Sequence, residues 1–305
     1  MSTSTPDRAP SPMTATEFRA VLAGLRIPAV AAPMTGVSTP DLVAEARIAG
    51  VLGSFPSSNA ASSAELDEWF ERIEATVAAG PRPWSAGPLV VNLIVGRQNT
   101  RLDDDVAAVV RRRVPIVITS VGSPAPVIEP LHDGGCFVLA DVASMAHAEK
   151  ALAAGADGLV LLSAGAGGHT GWANPLAFVR AVRAVFDGPL AVAGGMSDGA
   201  ALWAACCAGY DLGLFGTRFI ATPSSGAPAA WRRDLVTSTM DDVELGIAAN
   251  GVAASMLASG NGSAGHSVSA VTAGIGVDEL VDELVDDWVR ARARTVEQLA
   301  LDRVS

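Results

Sequence analysis

The sequence predicts an α/β architecture, a closed (β/α)8 (TIM) barrel with a small helical cap from the C-terminal region. Three observations carry this expectation. Short β-branched apolar runs alternate with helical stretches eight times along the chain. The runs are continuously apolar rather than alternating, as in parallel strands buried on both faces. No two runs lie close enough for a two-residue hairpin, which disfavours an antiparallel sheet. A doubly wound sheet, the competing architecture, usually breaks its pattern after about five or six strands.

Each element has its own local signal. The strand runs are IPAVAAP (27–33), VLGSF (51–55), PLVVNL (88–93), PIVITS (115–120), CFVLAD (136–141), GLVLLS (158–163), PLAVAGG (189–195) and LGLFGT (212–217). Between them, Ser38-Thr39-Pro40, Ser62-Ser63, Ser144, Asn174-Pro175 and Ser197-Asp198 supply cap oxygens or a first-turn proline for helices. Gly50, Gly80, Gly155 and Gly209 stand where helices stop. The expected organisation is a disordered tail over 1–14, the barrel over 15–225, a helical cap region over 226–270, and a C-terminal helix over 271–305 that closes the barrel.

Composition excludes several mechanisms. Of 305 residues, half are hydrophobic and 17% are charged, so a large core is expected rather than disorder. A net charge of −11 leaves no basic surface for nucleic acid or an anionic membrane. Lys150, the single lysine, lies in a helical stretch and not in a glycine loop, which excludes a phosphate-loop NTPase. Cys206 and Cys207 are adjacent and Cys136 is isolated, so no disulfide framework, CxxC pair or zinc set can be drawn. With no apolar run approaching a membrane span and a polar Ser/Thr/Pro-rich start, a cytoplasmic protein is expected. A small-molecule substrate is the expected partner, with a homodimer left open.

In a barrel, function gathers on the loops after the strands. The sixth such loop, Ser163-Ala164-Gly165-Ala166-Gly167-Gly168-His169-Thr170-Gly171, places one imidazole among glycines that let backbone approach a planar or anionic ligand. Gly194-Gly195 after the seventh strand and Gly216-Thr217 after the eighth precede helices, where backbone N–H groups can hold a phosphate. His132 and His147 read as surface residues, and His266 remains a candidate substrate-side group. No metal-ligand spacing is present.

GAGGHTG after strand six, VAGGMSDG after strand seven and GTRFIAT after strand eight resemble the nitronate monooxygenases, formerly 2-nitropropane dioxygenases. The related FMN-dependent enoyl-acyl-carrier-protein reductases look similar over the same motifs, and the likeness spans about residues 27–227. The resemblance implies a barrel binding FMN non-covalently. It assigns the phosphate to Gly194, Gly195, Gly216 and Thr217, and the flavin ring or ribityl chain to Asn92 and Gly167. Ala32, Pro33 and Met34 would pack beside the ring, Gly168 and Phe215 complete the cofactor set, and His169 takes the catalytic position. It also implies oxidation of an alkyl nitronate, or a related carbanion, with O2 to a carbonyl plus nitrite. An NAD(P)H-dependent enoyl-thioester reductase and a biosynthetic relative with altered chemistry are the alternatives. The chain departs from the family pattern at Leu162, where a glutamine is often found, and at Gly165, where a glutamate is usual.

Overall fold

The computed structural model describes residues 12–81, 84–248 and 251–301. Most of the expected 1–14 tail therefore lies outside the described residues. Thr14 already belongs to ordered structure. It caps α1 (Ala15–Ala23) in a reciprocal capping box with Glu17.

Eight parallel strands close into a barrel. They are β1 (Ala29–Ala31), β2 (Leu52–Pro56), β3 (Leu89–Ile94), β4 (Ile116–Ser120), β5 (Phe137–Val142) and β6 (Gly158–Leu162), then, after the short β7 (Gly168–His169), β8 (Leu190–Ala193) and β9 (Leu212–Phe215). β1 pairs with β9 in the register Ala31↔Phe215, which seals the sheet and removes its edges. The connecting helices are α2 (Pro40–Ile48), α3 (Ser63–Ala79), α4 (Leu102–Arg111), α5 (Ala125–Asp133), α6 (Met145–Ala153), α7 (Pro175–Arg183) and α8 (Gly199–Ala208). Their starts are chemical: Thr39, Ser62, Ser144, Asn174 and Asp198 each accept a backbone N–H of the first turn.

Side-chain alternation along the strands divides the core into two layers. Val30, Leu52, Val90, Ile116, Ile118, Leu139, Val160 and Leu212 fill the barrel interior together with Phe18 and Leu22 of α1. Phe18 stacks on Phe137 at the start of β5, ring centroids 4.4 Å apart, so α1 plugs the N-terminal end of the barrel. The outer layer, including Phe55, Val91, Val117, Leu161 and Phe215, packs against the helices.

After β9 come α9 (Thr217–Ile220), α10 (Ala229–Thr237) and α11 (Val277–Leu301). α11 packs between α8 and α2 and completes the outer ring. Between α10 and α11 the structure corrects the expected helical cap. Residues 243–257 form an antiparallel hairpin, β10 (Val243–Ile247) and β11 (Ala253–Leu257), and β11 also pairs with β7. The sequence between the two strands carries Asn250-Gly251, a hairpin signal, and Gly251 has φ +80°. The alanine-rich composition suggested helix, but two five-residue runs split by that turn cannot sustain one. Among the described residues no helix is long and apolar enough to cross a membrane.

Candidate active site

The C-terminal ends of the strands open into a cavity of about 560 Å3, within the range of pockets that bury a small molecule or cofactor. A more open groove beside Arg47, Glu74 and Trp84 gathers none of the strand-end loops.

The cavity floor is chemically divided. Inward-facing Asn92 of β3, Ser120 of β4 and Asp141 of β5 line one side, and Leu162, Ala193 and Leu214 of β6, β8 and β9 line the other. Asn92 is fixed, because its Nδ2 donates to the carbonyl of Ile118 at 3.1 Å and to Ser120 Oγ at 3.0 Å. Asp141 has no such anchor. Its Oδ1 is buried without a hydrogen-bond partner, and burial pushes its carboxyl up to about 7. In the sequence Asp141 stands at the end of the strand run CFVLAD. The signal available there was a carboxylate closing an otherwise apolar strand run.

The first loop brings Ala32, Pro33 and Met34 to the cavity wall. Ala32 N donates to the Phe215 carbonyl at 2.9 Å, and Met34 is held by Ser38 and Asn59. Gly194, Gly195, Gly216 and Thr217 line the wall from the ends of β8 and β9. At Gly195, with φ +72°, nothing lies within 4 Å of where a Cβ would stand. At Gly216 the nearest atom is Met34 Sδ at 3.6 Å. These glycines thus border open cavity that a side chain would fill.

Phe215 corrects the expected cofactor set. Its side chain is fully buried in the outer layer, because successive strand residues face opposite sides, and Leu214 is the β9 residue that reaches the cavity.

The sixth loop supplies Gly167, Gly168 and His169 to the same cavity and lies beside the β8 end, where a Cβ on Gly194 would stand 3.0 Å from the Ser163 carbonyl oxygen. Gly168 and His169 form β7, held in register by Ser255 and Ala254 of β11. The cap clamps this loop closely: a Cβ on Gly167 would stand 2.6 Å from Gly265 N, and Gly265 N donates to Thr217 Oγ1 at 3.0 Å. Trp231, Met256 and Ser263 cover the cavity from the cap side, with Trp231 Nε1 donating to the Ser263 carbonyl. His266 is exposed and packs against Gly165 rather than lining the cavity.

The other chemistry-bearing residues do not line the cavity. His132 meets Asp157 at 2.9 Å, and Asp157 also accepts Val138 N. His147 is exposed on α6. Tyr210 donates to the Pro175 carbonyl, and burial pushes its phenol up to about 12. Burial likewise raises the thiols of Cys136 and Cys206, to about 11 and about 12, which leaves them poor nucleophiles. Asp105, in the first turn of α4, is buried and receives Ser57 Oγ at 2.7 Å and Arg101 Nη2 at 3.0 Å. Among the described residues no group of His, Cys, Asp or Glu is arranged to hold a metal.

This geometry agrees with what the chain is similar to. A family model described as nitronate monooxygenase matches residues 86–262, more than half of the chain. The chain belongs to the nitronate monooxygenase family. A nitronate monooxygenase of Paraburkholderia phytofirmans is 28% identical over 256 residues, covering 70% of this chain and 69% of that protein. A Mycobacterium tuberculosis protein named (3aS,4S,5R,7aS)-5-hydroxy-7a-methyl-1-oxo-octahydro-1H-indene-4-carboxyl-CoA dehydrogenase is 29% identical over 226 residues, 72% of this chain. The match spans 60% of that dehydrogenase's length. Among solved structures, Thermotoga maritima FabK superposes with a TM-score of 0.79 at 23% identity, covering 92% of this chain and 97% of FabK. A nitroalkane oxidase from Streptomyces ansochromogenes gives 0.80 at 22%, covering 90% and 99%. At these identities the two structures establish the fold that the family members share.

Proposed function

We propose that this chain is an FMN-dependent oxidoreductase that oxidises an alkyl nitronate, or a related carbanion, with dioxygen to a carbonyl compound plus nitrite. The observation that carries the reading is that one cavity is lined both by glycines at the ends of β8 and β9, open at Gly195 and Gly216, and by the single imidazole of β7. A phosphate fits that cradle, since backbone N–H groups can approach it where no Cβ intervenes. Gly194, Gly195, Gly216 and Thr217 would hold the FMN phosphate, Asn92 and Gly167 the ring or ribityl chain, and Ala32, Pro33 and Met34 the ring face. FMN supplies the electron transfer when bound.

The chain's own residues do the rest. His169, at the cavity wall, can take the proton from the carbon beside the nitro group or face the nitronate oxygens as a donor, because an imidazole exchanges protons near neutral pH. The β10–β11 cap, with Trp231 and Met256, keeps water from the reacting carbon. Three free cysteines support a cytoplasmic setting.

A second reading is favoured by the matches to CoA-thioester dehydrogenases in Mycobacterium tuberculosis and Rhodococcus jostii, each over 72% of the chain. In that reading the substrate is an acyl thioester, reduced at the expense of NAD(P)H, and His169 protonates the α-carbon. One experiment addresses both. Purified protein is scanned for a flavin absorbance band, then given a nitronate under air or NADPH without oxygen. Nitrite release supports the first reading, and anaerobic bleaching by NADPH supports the second. A purified protein without flavin that fails to bind added FMN would overturn both.

A further inference from the structure

We propose that Asp141 is a recognition residue of the cavity floor, giving the proton of its carboxylic acid to an acceptor atom, a carbonyl oxygen or ring nitrogen, of a planar ligand. The inference rests on the FMN reading only for the identity of one candidate ligand.

Placement is the first argument. Phe137, Leu139 and Asp141 are successive inward residues of β5, so the carboxyl stands at the inner rim where the barrel core gives way to the cavity. Its Oδ1 is nevertheless buried and unpartnered. Buried polar atoms are nearly always satisfied, and an exception beside a cavity points to a partner that arrives with the ligand. The polar neighbours do not fill that role, because Asn92 Nδ2 is already committed to Ile118 and Ser120.

Charge is the second argument. Neither flanking strand, β4 (Ile116–Ser120) nor β6 (Gly158–Leu162), carries a titratable side chain. Among the residues lining the cavity, His169 on the sixth loop is the one other titratable group, and no arginine or lysine is present. A carboxylate here would have no cation to balance it, so burial favours the neutral acid, in line with its rise to about 7. A neutral carboxyl has one O–H to donate. With Asn92 and Ser120, it gives the floor a polar side facing an apolar one at Leu162, Ala193 and Leu214. That asymmetry orients a ligand with one polar edge.

The acceptor could belong to the flavin ring or to a substrate carbonyl, and two probes distinguish them. Dissociation constants of FMN and riboflavin are measured by flavin fluorescence for wild type, Asp141→Asn and Asp141→Leu, from about pH 5.5 to about pH 9, spanning the raised carboxyl. Riboflavin removes the phosphate, whose own second ionisation lies near pH 6, and His169 is common to all three proteins. The wild type should bind with constant affinity below about pH 7 and weaken by up to about tenfold per pH unit above it. Asp141→Asn, which keeps a donor but does not titrate, should bind evenly across the range. Asp141→Leu should bind about 5- to 100-fold more weakly at low pH. Calorimetric titration of the same three proteins with crotonyl-CoA over the same pH range forms the substrate arm, and a pH-dependent loss confined to that arm assigns the acceptor to the substrate. If FMN binds no variant at any pH, the FMN reading fails while the crotonyl-CoA arm still decides the role of Asp141. Identical pH profiles for wild type and Asp141→Asn with every probe would overturn the proposal.

Discussion

His169 owes its position to backbone. The two-residue β7 pairs with Ala254 and Ser255 of β11, so a sheet register holds the backbone that carries the imidazole. Replacing the ring with a methyl group should leave that register intact. We expect His169→Ala to keep its flavin and to lose turnover of a verified substrate by about 10²- to 10⁴-fold, the usual contribution of a positioned acid–base group. Steady-state rates beside the flavin-to-protein ratio check this, and wild-type turnover would show the histidine to be structural. Gly216 makes the converse case. A Cβ there meets nothing closer than 3.6 Å, so Gly216→Val should fold, yet its branched side chain would occupy the space proposed for the phosphate. The expected result is an unchanged thermal transition without bound FMN. Stoichiometric flavin in that variant would remove the proposed grip.

At the level of elements, the barrel was legible and the cap was not. Eight buried parallel strands announce themselves as apolar runs, because each is buried on both faces and tolerates no polar interruption. The hairpin of β10 and β11 covers the cavity from the surface, and the burial of its first strand is slight, so its composition carries little of that signal. Most of the predicted cavity set was readable from glycines and loop position. Phe215 failed because a motif match names positions without saying which face of the strand a side chain takes. Asp141 was overlooked because its significance depends on what lies opposite, which no linear pattern records. The cap also depends on a close backbone approach: a Cβ on Gly265 would stand 2.4 Å from the Gly165 carbonyl oxygen. Gly265→Ala should therefore lift the cap from the sixth loop while the barrel, whose core does not include it, stays folded. We expect faster proteolysis within residues 243–270 and weaker flavin retention at a nearly unchanged unfolding temperature. Wild-type protease resistance would argue that the contact is not what seats the cap.

Across the whole molecule, two sets of carboxyls push stability in opposite directions with pH. Asp67 is lowered because Arg112, then Arg111, donate to it, and hydrogen bonds from Ser259 and Asn261 lower Asp234. For groups lowered in the folded state, the stabilising contribution is present above the unfolded carboxylate range and is lost as pH falls through the folded value. Asp141 has the opposite sign. Its folded carboxyl titrates at about 7 against an ordinary value of 3.8, so between those limits the folded protein holds a proton that the unfolded chain has released. Its favourable contribution is full below the ordinary value and disappears as pH rises toward and through about 7. These two contributions place the best pH of the ligand-free protein where the windows meet, at the ordinary carboxylate range, with a decline toward alkaline pH. The overall charge of −11 adds self-repulsion in the same direction. Asp141→Asn separates the two causes, since it removes one buried titration and leaves the surface charge almost intact. Thermal unfolding of ligand-free protein should give nearly equal transition temperatures for wild type and variant near pH 4. By about pH 8 the variant should be higher, by about 2–4 °C for each kcal/mol of burial cost relieved. Parallel curves across that range would mean that the carboxyl reaches solvent freely in the ligand-free protein, and would account for the alkaline decline by net charge alone.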